Sequence, residues 1–548
     1  RVNLNADLSK AVKIALSLNG SIKENDMMSG GNTTGGATGA VSNVALYSAP
    51  YEKSEEEMEL TTPNLADRAT VWTWVDDYDD TTIEKTFRAS LDLTWNICKF
   101  LSYNLRTGGN IAIQDRDRWF NITLYDGAAQ NGYITQSDFN RSNYSVENVL
   151  QFNHKVKGIV DINATAGVTY DDYNSLNTLT VGNDFKIYDF RDKGMHMAGN
   201  VESKQPIQRD YQLLSFLARL NLGFLDGRYL LTASIRGDGS SKFKAGNRWA
   251  YFPAATVAWR LEQEHFMKDI SWINQLKIRA GYGETGSQSI DPYSTFSSYG
   301  TQFTNTPQGA DKPAQSATGD GNKLIGLVVD KMENDGLKWE RTTSYNVGID
   351  FSFFRDRLGG TVDLYSKTTR DLLIQRDLPA STGYKSITIN QGSLRNKGIE
   401  ITLHGDVIRT KDFTWGISGN IAFNQPRILD FGLPEEEWGT GQNWKAYLGN
   451  SIGDHFGEAN IFIAGKAPGL FYGYETNGII QNDDPYIDKM TGAGSISTIK
   501  PGNLKFVDQN NDGVINEKDR VILGDPNPDF TYGFQTNFAW KDLSLSVS

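Results

Sequence analysis

Apolar residues recur at every second position in segment after segment, and polar or charged residues hold the opposite phase. Ala218, Leu220, Leu222 and Phe224 are apolar on the even phase. After the turn Leu225-Asp226-Gly227-Arg228 the odd positions Tyr229, Leu231, Ala233 and Ile235 take over. Alternation of this kind on either side of a short Gly-containing turn predicts a β-hairpin. Leu276, Ile278, Ala280 and Tyr282 repeat it, as do Tyr345, Val347, Ile349, Phe351 and Phe353, and Phe354-Arg355-Asp356-Arg357 turns the chain back into residues 358–365. Further strands are predicted over 398–405, 413–423 and 531–540, with one more beginning at Leu543. Nearer the start, single strand-like stretches fall at 4–18, 87–93, 100–105, 150–157 and 159–170. The polar tracts 108–148 and 175–208 read as connections, and Phe252-Pro253 reads as the start of a strand. Almost nothing has helical period, so the fold class is all-β.

The connections alternate in length. Short turns at Asp226-Gly227, Arg355-Asp356 and Thr410-Lys411-Asp412 contrast with long excursions at 237–247, 283–337 and 425–505. Short turns at one end and long loops at the other are the pattern of an outer-membrane barrel. A soluble β-sandwich or propeller alternates in the same way within its strands. Two features favour the large antiparallel transmembrane barrel. The polar phase carries Arg219, Asn221, Arg236, Lys277, Arg279, Asp350 and Asp363, which suits a wet interior. Phe224, Tyr229, Trp249, Tyr251, Trp259, Phe538 and Trp540 gather towards strand ends, where an interfacial belt places aromatic rings.

Composition narrows the class further. With 548 residues and no linker that divides them, the chain 1–548 reads as one large unit. Mean hydropathy is −0.46 and no window approaches 18 apolar residues, which excludes a helical membrane protein and leaves a barrel open. A formal net charge of −12 argues against nucleic acid as a partner. One cysteine, Cys98, rules out an intramolecular disulfide framework, and the five histidines are scattered without zinc-site spacing. The chain opens at Arg1 with no signal sequence, which reads as a processed product or a fragment. The Gly/Thr-rich stretch 30–39 and the acidic run 55–59 read as solvated loops.

Several blocks resemble a known family. Tyr229-Leu230-Leu231-Thr232-Ala233-Ser234-Ile235-Arg236-Gly237-Asp238-Gly239-Ser240-Ser241-Lys242-Phe243, followed by residues 247–254, is similar to the barrel of SusC/RagA-type TonB-dependent transporters of Bacteroidetes. In the family's order come the block from Leu276 to Gly286, then Lys338-Trp339-Glu340-Arg341-Thr342, Asp363-Leu364-Tyr365 with Asp371-Leu372-Leu373, and Asn396-Lys397-Gly398-Ile399-Glu400. Gly473-Tyr474, Gly478-Ile479 and the block from Ile522 to Pro528 follow. The likeness covers the whole chain and is strongest after Leu213. It implies a large outer-membrane barrel closed by a plug, energised by TonB and capped by a SusD-like surface lipoprotein. It implies active import of oligosaccharides or oligopeptides. The plug and the TonB-contacting segment are expected outside this sequence, as are the barrel's final strands.

One stretch carries chemistry of its own. Asp508, Asn510, Asp512, Val514, Asn516 and Asp519 stand at loop positions 1, 3, 5, 7, 9 and 12 of a calcium-loop pattern, with Gly513 at the sharp turn. Calcium takes six to eight hard oxygen ligands, and Asp519 replaces the usual glutamate as in dockerin-like loops. An Asn/Asp-rich turn that binds nothing is the alternative. A bound Ca2+ would rigidify an extracellular loop.

No phosphate-cradling loop or nucleophile elbow is present, so the chain reads as a non-enzyme. Asp76-Asp77 and Asp79-Asp80 beside Trp72 and Trp74 suggest a sugar platform or a hydrolytic acid pair. Hydrolysis needs carboxylates set apart across a cleft, which adjacency in sequence does not supply. The rivals to an importer are a passive porin or adhesin barrel and a secreted glycan-binding β protein.

Overall fold

A computed structural model describes residues 1–27, 71–204, 206–303, 325–432, 446–449, 458–489 and 499–548. The expected loops at 30–39 and 55–59 lie outside these. A 17-stranded antiparallel sheet dominates. Sixteen of its strands form the wall, each paired with its neighbours in sequence. They are β1 (Val2–Asp7), β2 (Val12–Asp26), β3 (Tyr78–Cys98), β4 (Leu101–Phe120), β5 (Tyr133–Val156), β6 (Val160–Phe185), β7 (Ile207–Phe224) and β8 (Tyr229–Ser240). Then follow β9 (Trp249–Arg260), β10 (Ile273–Ser287), β11 (Glu340–Phe353), β12 (Leu358–Arg370), β13 (Ser393–Arg409), β14 (Phe413–Asp430), β15 (Thr531–Trp540) and β16 (Leu543–Val547). The seventeenth, Ala198–Ser203, pairs with the far part of β6. Among the described residues β1 pairs only with β2 and β16 only with β15.

Register explains the alternation. Val156, Val160, Phe224, Tyr229, Trp259, Ile278, Ile349, Val362, Ile401, Ile421 and Tyr532 stand side by side across eleven strands. Three residues along each strand, on the opposite phase, the facing row is Asn153, Asn163, Asn221, Thr232, Thr256, Gly281 and Asn346. The wall therefore has one apolar and one polar face. Many of the apolar side chains are solvent-accessible, among them Tyr251 at 58% and Tyr532 at 75%. Exposed apolar surface on this scale requires a non-aqueous neighbour, and a bilayer supplies it.

Strand β9 shows how thick that neighbour is. Trp249, Tyr251, Val257 and Trp259 share its outward face. The ten steps from Trp249 to Trp259 span about 33 Å along the strand at about 3.3 Å each. A tilt of about 45° reduces this to about 23 Å of height, close to the roughly 25 Å apolar band of an outer-membrane barrel. Tyr229 stacks on Trp259 with centroids 6.4 Å apart, and Phe216 on Trp249 at 5.7 Å. Aromatic pairs thus mark both edges of the band.

Several connections read from the sequence are corrected. Residues 108–148 and 175–208 are mostly strand, because β4, β5 and β6 run for 20, 24 and 26 residues. Beyond the bilayer both faces of a hairpin meet water, so the apolar alternation fades while the ladder hydrogen bonds continue. The stretch 4–18 is two strands, with Ser9 Oγ accepting the N–H groups of Ala11 and Val12 at the turn between them. Pro253 lies inside β9 rather than at its start. It pairs with Ile235 of β8 on one side only, because pairing with β10 stops at Ala254–Gly283, and such a local edge tolerates a residue without an N–H.

Beyond the wall the long excursions carry small sheets. Ser298–Phe303, Ile325–Met332, Leu373–Asp377 and Ser386–Asn390 form one. Ala446–Leu448, Asn460–Ile463, Leu470–Tyr474 and Arg520–Gly524 form another, around Ile461, Leu470 and Tyr472.

Candidate functional site

The polar face is a lattice of charges held across strands. Lys277 of β10 lies 2.5 Å from Asp350 of β11, and Arg279 bridges Asp350 at 3.1 Å and Asp363 of β12 at 2.7 Å. Arg279, Gly348 and Asp363 are in register, and the guanidinium crosses above Gly348. A Cβ there would meet Arg279 Cζ at 2.6 Å, so glycine keeps the crossing open. Arg106 joins Asp92 at 2.5 Å, and Arg236 donates to Asp238 at 2.7 Å and to Ser215 Oγ at 3.0 Å. Asn221 donates to Asn163 and accepts from Thr232. Arg219, Asn221, Arg236, Lys277, Arg279, Asp350 and Asp363 thus all occupy the lumen face, as the pattern predicts. The lattice pins neighbouring strands laterally and presents fixed charges of both signs to a polar solute.

At the long-loop end the lumen face carries Tyr173 and Tyr211, stacked with centroids 5.0 Å apart. Lys242 Nζ sits 4.3 Å over the Tyr211 ring and donates to the Ile290 carbonyl at 2.9 Å. Burial without a direct carboxylate partner pulls its pKa below the usual lysine value. Sequence reading missed Tyr173 and Tyr211 because both lie in or beside the tract taken for a loop. The polar phase of β6, through Asp161, Asn163, Thr165 and Thr169, carried on past Tyr170, reaches Tyr173.

The block around Asp238 to Phe243 is structural here. Ser240 is fully buried, and Phe243 packs with Phe252, Ile290, Leu337 and Trp339. Trp339 Nε1 donates to the Arg248 carbonyl at 2.8 Å. Lys338 pairs with Asp371 and Arg341 with Glu284, so the blocks shared with the family meet in space at the mouth.

The paired acids near residue 78 do not form a cleft. Asp79 is held bidentately by Arg191, and buried Asp80 by Arg116 and the Tyr78 hydroxyl. Asp77 accepts from Asn121 and Thr123. Trp74 is buried against Tyr78, Phe120 and Leu124, while Trp72 is exposed.

The stretch 508–519 links Leu504–Phe506 to Arg520–Gly524 and lies on the long-loop side. Asp508 accepts the N–H groups of Asp512 and Gly513, and Asp512 accepts that of Val514. Asp519 is fully buried and accepts from Gln509 and Asn516. Asn510 Oδ1 accepts from Asp512 N–H and Asn516 Oδ1 from Lys518 N–H. Gly513 has φ +81°, which a side chain would resist. None of the three carboxylates makes an ion pair with a described residue. Among the described residues no three His, Cys, Asp or Glu are gathered closely enough to hold a metal alone. The candidate therefore rests on the mixed donor set of carboxylates, amides and the Val514 carbonyl. Each oxygen in use retains a lone pair, which fits a hard cation.

Residues 19–541 match the family model described as TonB dependent receptor-like, beta-barrel. TonB-dependent receptor P3 of Formosa agariphila is 28% identical over 560 residues, covering 100% of this chain and 52% of the relative. TonB-dependent receptor P39 of the same organism is 30% identical over 84% of this chain and 42% of its own length. TonB-dependent receptor SusC of Bacteroides thetaiotaomicron is 32% identical over 61% of this chain and 30% of its own length. The chain spans about half the length of the Formosa relatives. In structure, the RagAB peptide transporter aligns over 99% of this chain and 56% of that one, with a TM-score of 0.73 at 20% identity.

Proposed function

The chain belongs to the TonB-dependent receptor β-barrel family, and from that premise we propose that it walls an outer-membrane importer of oligosaccharides or oligopeptides. A SusD-like surface lipoprotein captures the cargo, and TonB supplies the energy. The carrying observation is the two-faced wall, with an aromatic-edged apolar band outside and a charged, hydrogen-bonded lattice inside. Such a lattice wets a passage and offers polar cargo exchangeable hydrogen bonds, while the bulky loops at one rim give a partner surface. The Tyr173–Tyr211 stack is well placed to meet cargo at the mouth. Native mass spectrometry of the full-length protein, extracted in detergent from outer membranes, tests the reading. A co-purifying lipoprotein and cargo uptake abolished by collapsing the proton-motive force are expected. A chain that fractionates as a soluble protein, or uptake indifferent to the proton-motive force, overturns it.

The loop 508–519 is proposed to hold one Ca2+ through Asp508, Asn510, Asp512, the Val514 carbonyl, Asn516 and Asp519. The ion would join the hairpin of Thr476–Ile479 and Leu504–Phe506 to the neighbouring sheet. It has a structural role only. Chelation is expected to lower the melting temperature of the wild type and leave an Asp508→Asn/Asp512→Asn variant unchanged. If both variant and wild type bind equal calcium and melt together, the loop is only a turn.

A further inference from the structure

The outward face of β11 to β14 is asymmetric in charge. Over these four strands the outward phase runs through Phe351, Ile349 and Val347 on β11, Val362 and Leu364 on β12, Leu403, Ile401 and Ile399 on β13, and Ile417, Ile421 and Phe423 on β14. At the long-loop end of the same phase come Arg341, Arg370, Arg395, Lys397 and Arg427. The first acid in that phase is Asp430, which is held by Ser393 Oγ and the Gly432 N–H. At the short-turn end the phase carries no cation.

Arg341 pairs with Glu284, but Arg370, Arg395, Lys397 and Arg427 make no ion pair among the described residues. Arg395 and Arg427 are direct cross-strand partners. Like charges so placed, about 5 Å apart at Cα, repel and destabilise the pairing. Lys397 follows on the same face about 7 Å from Arg395, and Arg370 lies diagonally across. Arg370, Lys397 and Arg427 are exposed. Lys397 lies one same-face step beyond Ile399, and the Arg395–Arg427 pair two steps beyond Ile399 and Phe423, where the apolar band ends.

We propose that this cluster binds the phosphate of an outer-leaflet glycolipid whose acyl chains lie on the apolar band below. Repelling cations at the edge of a membrane band are relieved by a multivalent anion held at that depth, and arginine forks match phosphate oxygens. The lipid, rather than free phosphate, is the ligand because the cluster continues directly into the lipid-facing surface. The proposal rests on the membrane reading above.

The test uses full-length protein purified from outer membranes and measures retained lipid by native mass spectrometry. Mixed micelles carry either a bisphosphorylated glycolipid, its dephosphorylated form or inorganic phosphate with neutral detergent. Arg395→Gln/Arg427→Gln is expected to retain about tenfold less phosphorylated lipid than wild type, the order expected when charge-assisted bonds to one anion are lost. Arg395→Lys/Arg427→Lys restores most of it, and the dephosphorylated lipid binds all variants alike and weakly. Heat-modifiable migration on SDS gels shows that each variant is a folded barrel. Equal retention by folded wild type and Gln variant, or by both lipids, overturns the proposal. A response to inorganic phosphate alone equal to that of the lipid also overturns it. Failure of the membrane reading would instead appear as wild-type protein soluble without detergent.

Discussion

Gly348→Ala isolates the lumen lattice, because two ordinary rules disagree about its sign. Glycine inside a strand is about 0.5–1 kcal/mol less favourable than alanine, so the change taken alone stabilises. Here the new methyl would lie 2.6 Å from Arg279 Cζ and 2.8 Å from Asp363 Oδ1. The guanidinium must move, and its 2.7 Å bond to Asp363 is lost. A hydrogen bond to a charged group contributes about 1.5–3 kcal/mol. With the two side chains 24% and 17% accessible, screening reduces this to about 1–2 kcal/mol. The net expectation is a loss of about 0.5–1 kcal/mol. In an Arg279→Ala background only the Asp363 carboxylate remains beside the new methyl; no longer held by the guanidinium, it is free to turn aside, and the same substitution should stabilise by about 0.5–1 kcal/mol. Urea unfolding of full-length protein in detergent micelles, followed by tryptophan fluorescence, gives the four corners of the cycle. A coupling energy below about 0.5 kcal/mol, or stabilisation in both backgrounds, would refute the argument that the arginine crossing selects glycine.

Adjacent residues of β9 offer a test of which face meets lipid. Ala255→Arg near mid-band should cost about 2–4 kcal/mol and reduce insertion into vesicles, whereas Thr256→Arg, facing the lumen, should insert nearly normally; equal penalties would contradict the assignment. Cys98 is exposed in the short-turn rim. In intact cells a membrane-impermeant maleimide should leave it unlabelled, and permeabilisation should expose it, so labelling of intact cells would invert the topology. In the outer excursion the Tyr486 N–H, then Lys505, hold the Asp484 carboxyl below the usual carboxylate value. A depressed carboxylate contributes stability above its unfolded pKa of about 4 and loses it as pH falls through the folded value. Hydrogen exchange in residues 481–489 and 499–506 should therefore rise below about pH 4 in wild type and be high throughout in Asp484→Asn; flat, matching profiles would remove the latch.

Within the membrane band the strands were legible because lipid on one side and water on the other impose period 2 on side chains. Outside the band that asymmetry vanishes. Thus β7, β8 and β10 to β14 were found over their membrane parts but trimmed at their outer ends, β14 being read as 413–423 against Phe413–Asp430, while β4 to β6 lost their outer halves to an apparent loop. The lumen charges could be named from phase alone, yet their partners could not: Arg279 and Asp363 are 84 residues apart, and only register across β11 brings them together. The paired acids at 76–80 illustrate the opposite error. Their neighbourhood in sequence suggested chemistry, but Arg191 from a short helical turn and Arg116 from β4 neutralise two of them. The basic cluster on β12 to β14 was invisible because each cation is an ordinary polar residue within its own strand.

The unequal strand lengths carry a consequence for the mouth. Spanning the bilayer takes about 9–11 tilted residues, so roughly half of β5 and β6 stands clear of it. A free hairpin of that length is marginal in water. These hairpins are tied by two small cores at their tips, Trp74 with Tyr78, Phe120 and Leu124, and Trp119 with Ile134 and Phe185. Arg191 fastens the second tip to the first through Asp79 and the Asp76 carbonyl. The result is a stiff palisade on one side of the opening. On the other side, β11 to β14 stop at 13–18 residues and hand over to excursions carrying the small sheets and the 508–519 loop. A partner lying over the mouth would therefore meet a fixed wall at β3 to β6 and separately folded loops opposite. Motion that admits cargo is expected on the loop side, where ion occupancy and the Asp484–Lys505 latch could bias it.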